Sequence, residues 1–333
     1  MSGSNVLPSA AGGRAMRAGM LVAALATLAC AWTVASSLAA PARTIAITVD
    51  DLPFVGYGLA LTGIQEETAK LLSALKRNRV PAIGFVNEDK LEVEGQFEAQ
   101  VALLQAWLDA GMELGNHGYG HIDFNSTPRE RYEEAVLKGE VATRRLLARR
   151  GARPRYYRHP FTHTGPTREA KAAFEAFLGA HDYAVAPFTV EDADYLFAKA
   201  YSDARRAGNA ALAEKVRTAY LDHQDTMLAF FEAESRDLFA RDVPQILLIH
   251  ANELNAGAME EVLARLRKRG YGFVSLDEAL RDESYRSPDG YVGKVGPSWL
   301  HRWRAGRGGD VQSALRREPD PPPWVMRLVQ GVP

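Results

Sequence analysis

The chain has 333 residues, 47% of them hydrophobic, with 40 Lys and Arg against 41 Asp and Glu and a single cysteine. The near-zero formal charge argues against a nucleic-acid surface, and one cysteine excludes an internal disulfide framework. The length suffices for one large α/β domain with a full core.

The first forty residues read as a signal peptide rather than as fold. Arg14 and Arg17 precede "AGMLVAALATLACAWTVASSLAA", an apolar run that ends in small residues, and no acidic residue comes before Asp50. Cleavage is expected near Ala39 or Ala40, which implies a periplasmic or secreted protein. A retained anchor is the alternative, because the run approaches the ~18–20 residues of a span, and "TLAC" around Cys30 also resembles a lipidation site. Cleavage takes the formal charge from −1 to −3 and removes the only cysteine. No stable membrane span then remains, and any metal site must be built from His, Asp or Glu.

Downstream, short apolar runs alternate with segments of helical period. Strands are predicted at 45–49, 81–86, 112–116, 155–158, 183–190, 245–250 and 271–275. Thr62 with Gln65 and Thr127 with Glu130 fit capping boxes, Pro128 fits a first helical position, and Gly111, Gly151 and Gly270 fit C-terminal caps. Alternating β and α units imply a parallel sheet, either a closed or nearly closed barrel or an open doubly wound sheet. A helical insertion is predicted at about 193–241. After Ser287 the chain turns Gly-, Pro- and Trp-rich without a clear period ("GYVGKVGPSWLHRW", then "PDPPPW"), so 287–333 reads as a C-terminal wrap or tail on a catalytic domain at 41–286.

The chemistry collects where strands end. "TIAITVDDLP" closes an apolar run on two adjacent carboxylates, Asp50 and Asp51. Strand side chains alternate between faces, so the pair would bury a charge at a cost of several kcal/mol unless it has a partner, a cation or a proton to move. Both carboxylates reach one pocket if the strand stops at the pair and Pro53 helps fix a turn there. "LGNHGYGHIDFN" places His117 and His121 four apart, and its glycines favour a tight loop over a helix. Arg158, after the fourth strand, is a suitable bidentate partner for a carboxylate. His250 ends a buried strand after Ile246–Ile249.

These residues together resemble the polysaccharide deacetylases of carbohydrate esterase family 4. "TVDDLP" is similar to that family's T-F-D-D-G, "HGYGH" to H-S/T-x-x-H, "RHPF" to R-x-P-Y/F, and "LLIH" to L-x-x-H. "EDADY", Glu191 to Tyr195, sits where D-x-x-D-W is often found. Leu52 stands for the glycine after the Asp pair and Gly118 for Ser/Thr. The resemblance implies a single catalytic domain folded as a distorted seven-stranded (β/α) barrel.

It further implies that Asp51, His117 and His121 hold one divalent metal ion, zinc, and that Asp50 is the general base. Arg158 would orient Asp50 and keep it ionised, the backbone N–H of Phe161 would donate to the oxyanion, and His250 would protonate the leaving nitrogen. Asp194 or Glu191 would pair with Arg158 or tune His250, and His159 and His163 would line the groove. The implied activity is removal of N-acetyl groups from an amino-sugar polysaccharide or oligosaccharide, that is, hydrolysis of a non-peptide carbon–nitrogen bond. The alternatives are an acetyl-ester or non-sugar amide hydrolase on the same metal core, and a catalytically silent glycan-binding protein.

Overall fold

The computed structural model describes residues 43–331, and the predicted signal segment at 1–40 lies outside the described residues. The described residues form eight strands: β1 (Arg43–Val55), β2 (Ile83–Val86), β3 (Glu113–Asn116), β4 (Tyr156–Tyr157), β5 (Ala184–Val185), β6 (Val190–Glu191), β7 (Gln245–Asn252) and β8 (Tyr271–Phe273). Every pairing is parallel, in the order β5-β4-β3-β2-β1-β7-β6, with β8 on the first residues of β1. The fold is the expected α/β one, a curled parallel sheet wrapped by helices. β1 is central, and Ile45, Ala46, Ile47, Thr48 and Val49 are all buried, which is the two-sided burial of an inner parallel strand.

The predicted fifth strand at 183–190 is two short strands. The chain leaves β4 after the bond from Ala186 N–H to Tyr157 O and joins β7 at the bond from Thr189 N–H to Ile246 O. Pro187, which has no N–H to give a ladder, lies between the two. The carbonyls of Ala186 and Pro187 are left for another donor, and the site uses them.

The helices are α1 (Leu61–Arg77), α2 (Phe97–Asp109), α3 (Arg129–Lys138), α4 (Val141–Ala148), α5 (Arg168–Ala180), α6 (Asp194–Arg206), α7 (Ala210–Phe239), α8 (Glu253–Lys268), α9 (Leu276–Ala279), α10 (Trp299–Gly306), α11 (Val311–Arg317) and α12 (Pro323–Gln330). Gly111, Gly151 and Gly270 follow helices with φ of 84°, 66° and 87°, as left-handed terminators should. Neither predicted capping box forms: α1 starts after Ala60 and α3 after Pro128, both without a side-chain cap. Thr62 lies two residues after the actual cap position and Thr127 one residue before it. The capping box that does form joins Ser275 and Glu278 at α9. The predicted helical insertion is α6 and α7. None of the described helices is long and apolar enough to cross a membrane.

The C-terminal segment, expected to lack period, contains three helices too short for a periodic signal. It is packed into the molecule. Trp299, Leu300 and Trp303 are buried, and so is Arg302, whose guanidinium donates to the Pro297 carbonyl (3.0 Å), the Thr164 hydroxyl (2.9 Å) and the Thr162 carbonyl (2.7 Å). A buried cation so fully bonded ties α10 to the loop after β4.

Leu52 has a structural counterpart in Gly84 of β2. Leu52 is completely buried, and a Cβ placed on Gly84 would collide with its Cδ1. Gly84→Ala is therefore expected to cost about 1–3 kcal/mol by overpacking, and Leu52→Ala about 2–5 kcal/mol by leaving a cavity. In urea denaturation the double variant should lose less than the two single losses combined, by about 0.5 kcal/mol or more. Strict additivity would show that the two side chains do not share this space.

Candidate active site and metal centre

The strand does not end at the Asp pair, contrary to the expectation from Pro53. β1 runs on to Val55, and its register slips against β2 between Val49 and Leu52 and against β7 between Asp50 and Val55. Asp51 has φ of 71°, in the left-handed region, and the Leu52–Pro53 bond is cis. A bulge of this kind breaks the alternation of faces. Both carboxylates consequently line one cavity of about 510 Å³, together with His117, His121, His159, Phe161, His163, Glu191, Tyr195 and His250.

Asp50 is buried, and Arg158 is its partner, with Nη1 3.3 Å from Oδ2. Arg158 is itself fully buried. It donates from Nε to the Ala186 carbonyl (2.9 Å) and from Nη2 to the Pro187 carbonyl (3.2 Å) and the Thr48 hydroxyl (3.0 Å). These are the carbonyls freed between β5 and β6. Burial pushes the Asp50 carboxyl above its ordinary range, and Arg158 and His250 oppose that shift. The net upward direction differs from the expectation that Arg158 simply keeps Asp50 ionised, and it makes Asp50 a stronger base.

The two histidines sit on a tight turn, as the glycines predicted. Gly118 and Gly120 have φ of 72° and 78°, and His121 itself has φ of 44°. His117 Nδ1 lies 2.7 Å from the Arg158 carbonyl. A carbonyl only accepts, so Nδ1 carries the proton and Nε2 presents its lone pair. Burial lowers both imidazoles to about 4, so they are neutral at pH 7. Burial alone would raise the Asp51 carboxyl, but Lys90 and the surrounding imidazoles hold it well below the usual range.

This arrangement fits a metal ion. One ligand atom from each of Asp51, His117 and His121 lies within 4.8 Å of the others. Asp51 Oδ1 is buried, with Lys90 Nζ at 3.2 Å, His121 Nε2 at 3.6 Å and His117 Nε2 at 3.7 Å. A carboxylate oxygen facing two neutral imidazole lone pairs is repulsive, and a cation held among the three atoms removes that repulsion.

His250 pairs with Asp50 in register across β1 and β7. Its Nδ1 is 2.7 Å from Asp194 Oδ1, and its backbone N–H donates to Asp194 Oδ2 at 3.0 Å. Asn252 and Asn255 also donate to Oδ2, at 3.0 and 2.6 Å. Burial disfavours the imidazolium, yet Asp194, with Asp51 and Asp50 behind it, raises His250 to about 10. Asp194 therefore tunes His250 and does not pair with Arg158. Burial pushes Glu191 up to about 7 on the cavity wall.

Phe161, with φ of 55°, stands half-exposed at the cavity and packs edge-on against His121. His159 and His163 both line the cavity, His159 beside the Tyr132 hydroxyl (3.0 Å) and His163 against Asp123 (2.8 Å). Sequence reasoning missed Lys90, Thr48, Tyr57 and Gly296. Gly296 comes from the C-terminal segment, and its carbonyl accepts from the Thr162 hydroxyl at 2.7 Å. No local pattern marks any of these four.

Residues 38–175 match a family model described as "Polysaccharide deacetylase". No curated protein matches the chain. Solved structures similar to it include a family 4 carbohydrate esterase from Streptomyces lividans, in complex with acetate (19% identity over 72% of this chain and 97% of that one, TM-score 0.44). The peptidoglycan deacetylase PdaC of Bacillus subtilis is another (20% identity, 73% and 93%, TM-score 0.45). A third is a family 4 pseudoenzyme from Bacillus anthracis (17% identity, 73% and 67%, TM-score 0.48).

Two measurements check the geometry. His117→Ala and His121→Ala should each lower the bound divalent metal seen by elemental analysis, because one of three protein ligands is gone; full occupancy in both variants would show that the ligands lie elsewhere. Asp194→Asn should bring the His250 pKa, followed by NMR, from about 10 down toward the ordinary value of about 6.5, since burial is then opposed only by the weaker pulls of Asp51 and Asp50. A pKa that stays high would place the source of the shift in Asp50 and Asp51.

Proposed function

Because residues 38–175 match the polysaccharide deacetylase family model, we propose that the chain is a metal-dependent hydrolase of N-acetyl groups on an amino-sugar polysaccharide or oligosaccharide. One observation carries the reading. A single cavity holds a buried carboxylate shifted upward, Asp50, an imidazole raised to about 10, His250, and a two-His, one-carboxylate ligand set. A binding module has no need of a base, an acid and a metal site in one cavity.

Asp51, His117 and His121 would hold the ion, zinc by the nature of the donors. When bound, it supplies acidification of water and polarisation of the acetyl carbonyl. Asp50, held by Arg158, takes a proton from the attacking water. The Phe161 backbone N–H donates to the oxygen on which negative charge develops. His250, as imidazolium locked by Asp194, gives its proton to the departing nitrogen. The amide C–N bond breaks, the water oxygen joins the acyl carbon, and acetate and a free amine result. Tyr57, Phe161 and Tyr195 supply apolar faces around the cavity, which suit a sugar ring.

Export to the periplasm or out of the cell is part of the proposal and rests on Arg14, Arg17 and the apolar run after them. The native protein should begin between Ser36 and Arg43 by mass spectrometry, and a full-length cytoplasmic form would overturn this.

The activity is tested by acetate release from a panel of N-acetylated glycans and acetyl esters, with and without chelator. Release from a glycan, abolished by chelator and restored by zinc, is expected. Release only from esters or small amides would move the substrate class, and none at all would leave a binding protein. His250→Ala should keep its metal while amide turnover falls about 10²–10⁴-fold. An activated aryl ester, whose leaving group needs no proton, should lose far less. Equal losses on both substrates, or loss of metal, would show that His250 is not the acid.

A further inference from the structure

The turn after β2 reaches Asp51, His117 and the loop that carries His121. Asn87, fully buried, donates from Nδ2 to the carbonyls of His117 and Gly118, each at 3.0 Å. The Glu88 carboxylate accepts from the backbone N–H groups of Ala142 (2.9 Å) and Thr143 (2.7 Å), which anchors the turn to the start of α4. Asp89 Oδ1 accepts from the backbone N–H of Gly120 at 2.9 Å. Lys90 turns to the remaining ligand, with Nζ 3.3 Å from the Asp51 carbonyl oxygen and 3.2 Å from Asp51 Oδ1. Four consecutive side chains thus hold the histidine loop, a helix start and Asp51.

The first three contacts orient their targets. The fourth places a cation on a ligand atom. Asp51 Oδ1 is also the oxygen that His121 Nε2 and His117 Nε2 approach, at 3.6 and 3.7 Å. An ammonium and a divalent ion that share one carboxylate repel each other across a few ångströms of weakly screened protein. The same ammonium steadies the carboxylate and the backbone carbonyl of a residue held in the left-handed region.

We propose that Lys90 is an internal counter-cation of the metal centre, delivered by the anchored 87–90 turn, that holds Asp51 in place and lowers the site's affinity for the divalent ion. This rests on Asp51, His117 and His121 being the ligands, and adds a determinant of how tightly they bind. Lys90 is a positioning residue: it touches a ligand. Its side chain is 27% exposed, so Lys90→Met removes the charge and keeps the apolar stem in place.

The test is Zn²⁺ binding to the full chain, measured by competition with a chromogenic chelator at fixed pH and ionic strength. Lys90→Met should bind Zn²⁺ about 10-fold more tightly or better, whereas Lys90→Arg, which keeps the charge, should stay within about threefold of the parent. Melting of the chelator-treated protein should occur at a lower temperature in Lys90→Met than in the parent, and Zn²⁺ should raise it by more. Unchanged or weaker binding in a folded Lys90→Met would overturn the proposal, and a loss of about 10–100-fold would mark Lys90 as an ordinary supporting partner of the ligands. Lys90→Gln repeats the measurement if the methionine variant does not fold. A parent chain that takes up no Zn²⁺ would remove the ligand assignment itself, an outcome seen before any Lys90 variant is compared.

Discussion

The site depends on a buried ion pair, Asp50 with Arg158, at the middle of the sheet. A carboxylate on a central parallel strand costs several kcal/mol unless a cation and further hydrogen bonds answer it. Arg158 does so only because its own N–H groups find carbonyls, those of Ala186 and Pro187, where the chain crosses from β5 to β6. The opening between these two strands and the burial of the Asp50 carboxylate are one feature. A barrel closed at that point would commit those carbonyls to a ladder and leave the guanidinium under-bonded.

Asp51 solves the complementary problem. Alternation would send it away from Asp50, and the bulge with its positive φ brings it back to the same cavity. The neighbours then decide what each buried group becomes. Burial by itself raises a carboxyl and lowers an imidazole. It does so for Asp50, His117 and His121, whereas charges overturn it at Asp51, through Lys90, and at His250, through Asp194. Two neutral imidazoles and one ionised carboxylate are what a divalent ion needs, and a carboxylate base beside a charged imidazole is what amide cleavage needs.

The segments outside the family match contribute as well. Asp194 opens α6, the first helix of the insertion, and its second oxygen is held by Asn252 and Asn255 at the end of β7 and the start of α8. Gly296 and Arg302 brace the loop that carries Phe161 through Thr162. These parts fix the shape of the cavity, while the strand ends of the earlier part carry most of the reactive groups.

Much of this was legible in the chain itself. Alternating apolar runs and helical segments specified a parallel α/β fold, and the Asp pair, the two histidines four apart, Arg158 and His250 stood out because charged or imidazole groups rarely close buried strands. Local pattern misled where the outcome hangs on partners far away. Pro53 read as a strand end, yet pairing with β2 and β7 carries β1 past it. Asp194 lies in the acidic stretch "EDADY", which by itself offers it to Arg158 and to His250 alike, and its contact with His250 spans 56 residues. The helices after residue 298 were too short to show a period, and Lys90 carried no motif at all. Sequence fixes which groups are available and which face each is offered to. Which carboxylate meets the arginine 108 residues away, and which the lysine, is decided only when the sheet curls and excludes water, because the energy of a charge is set by what surrounds it in space.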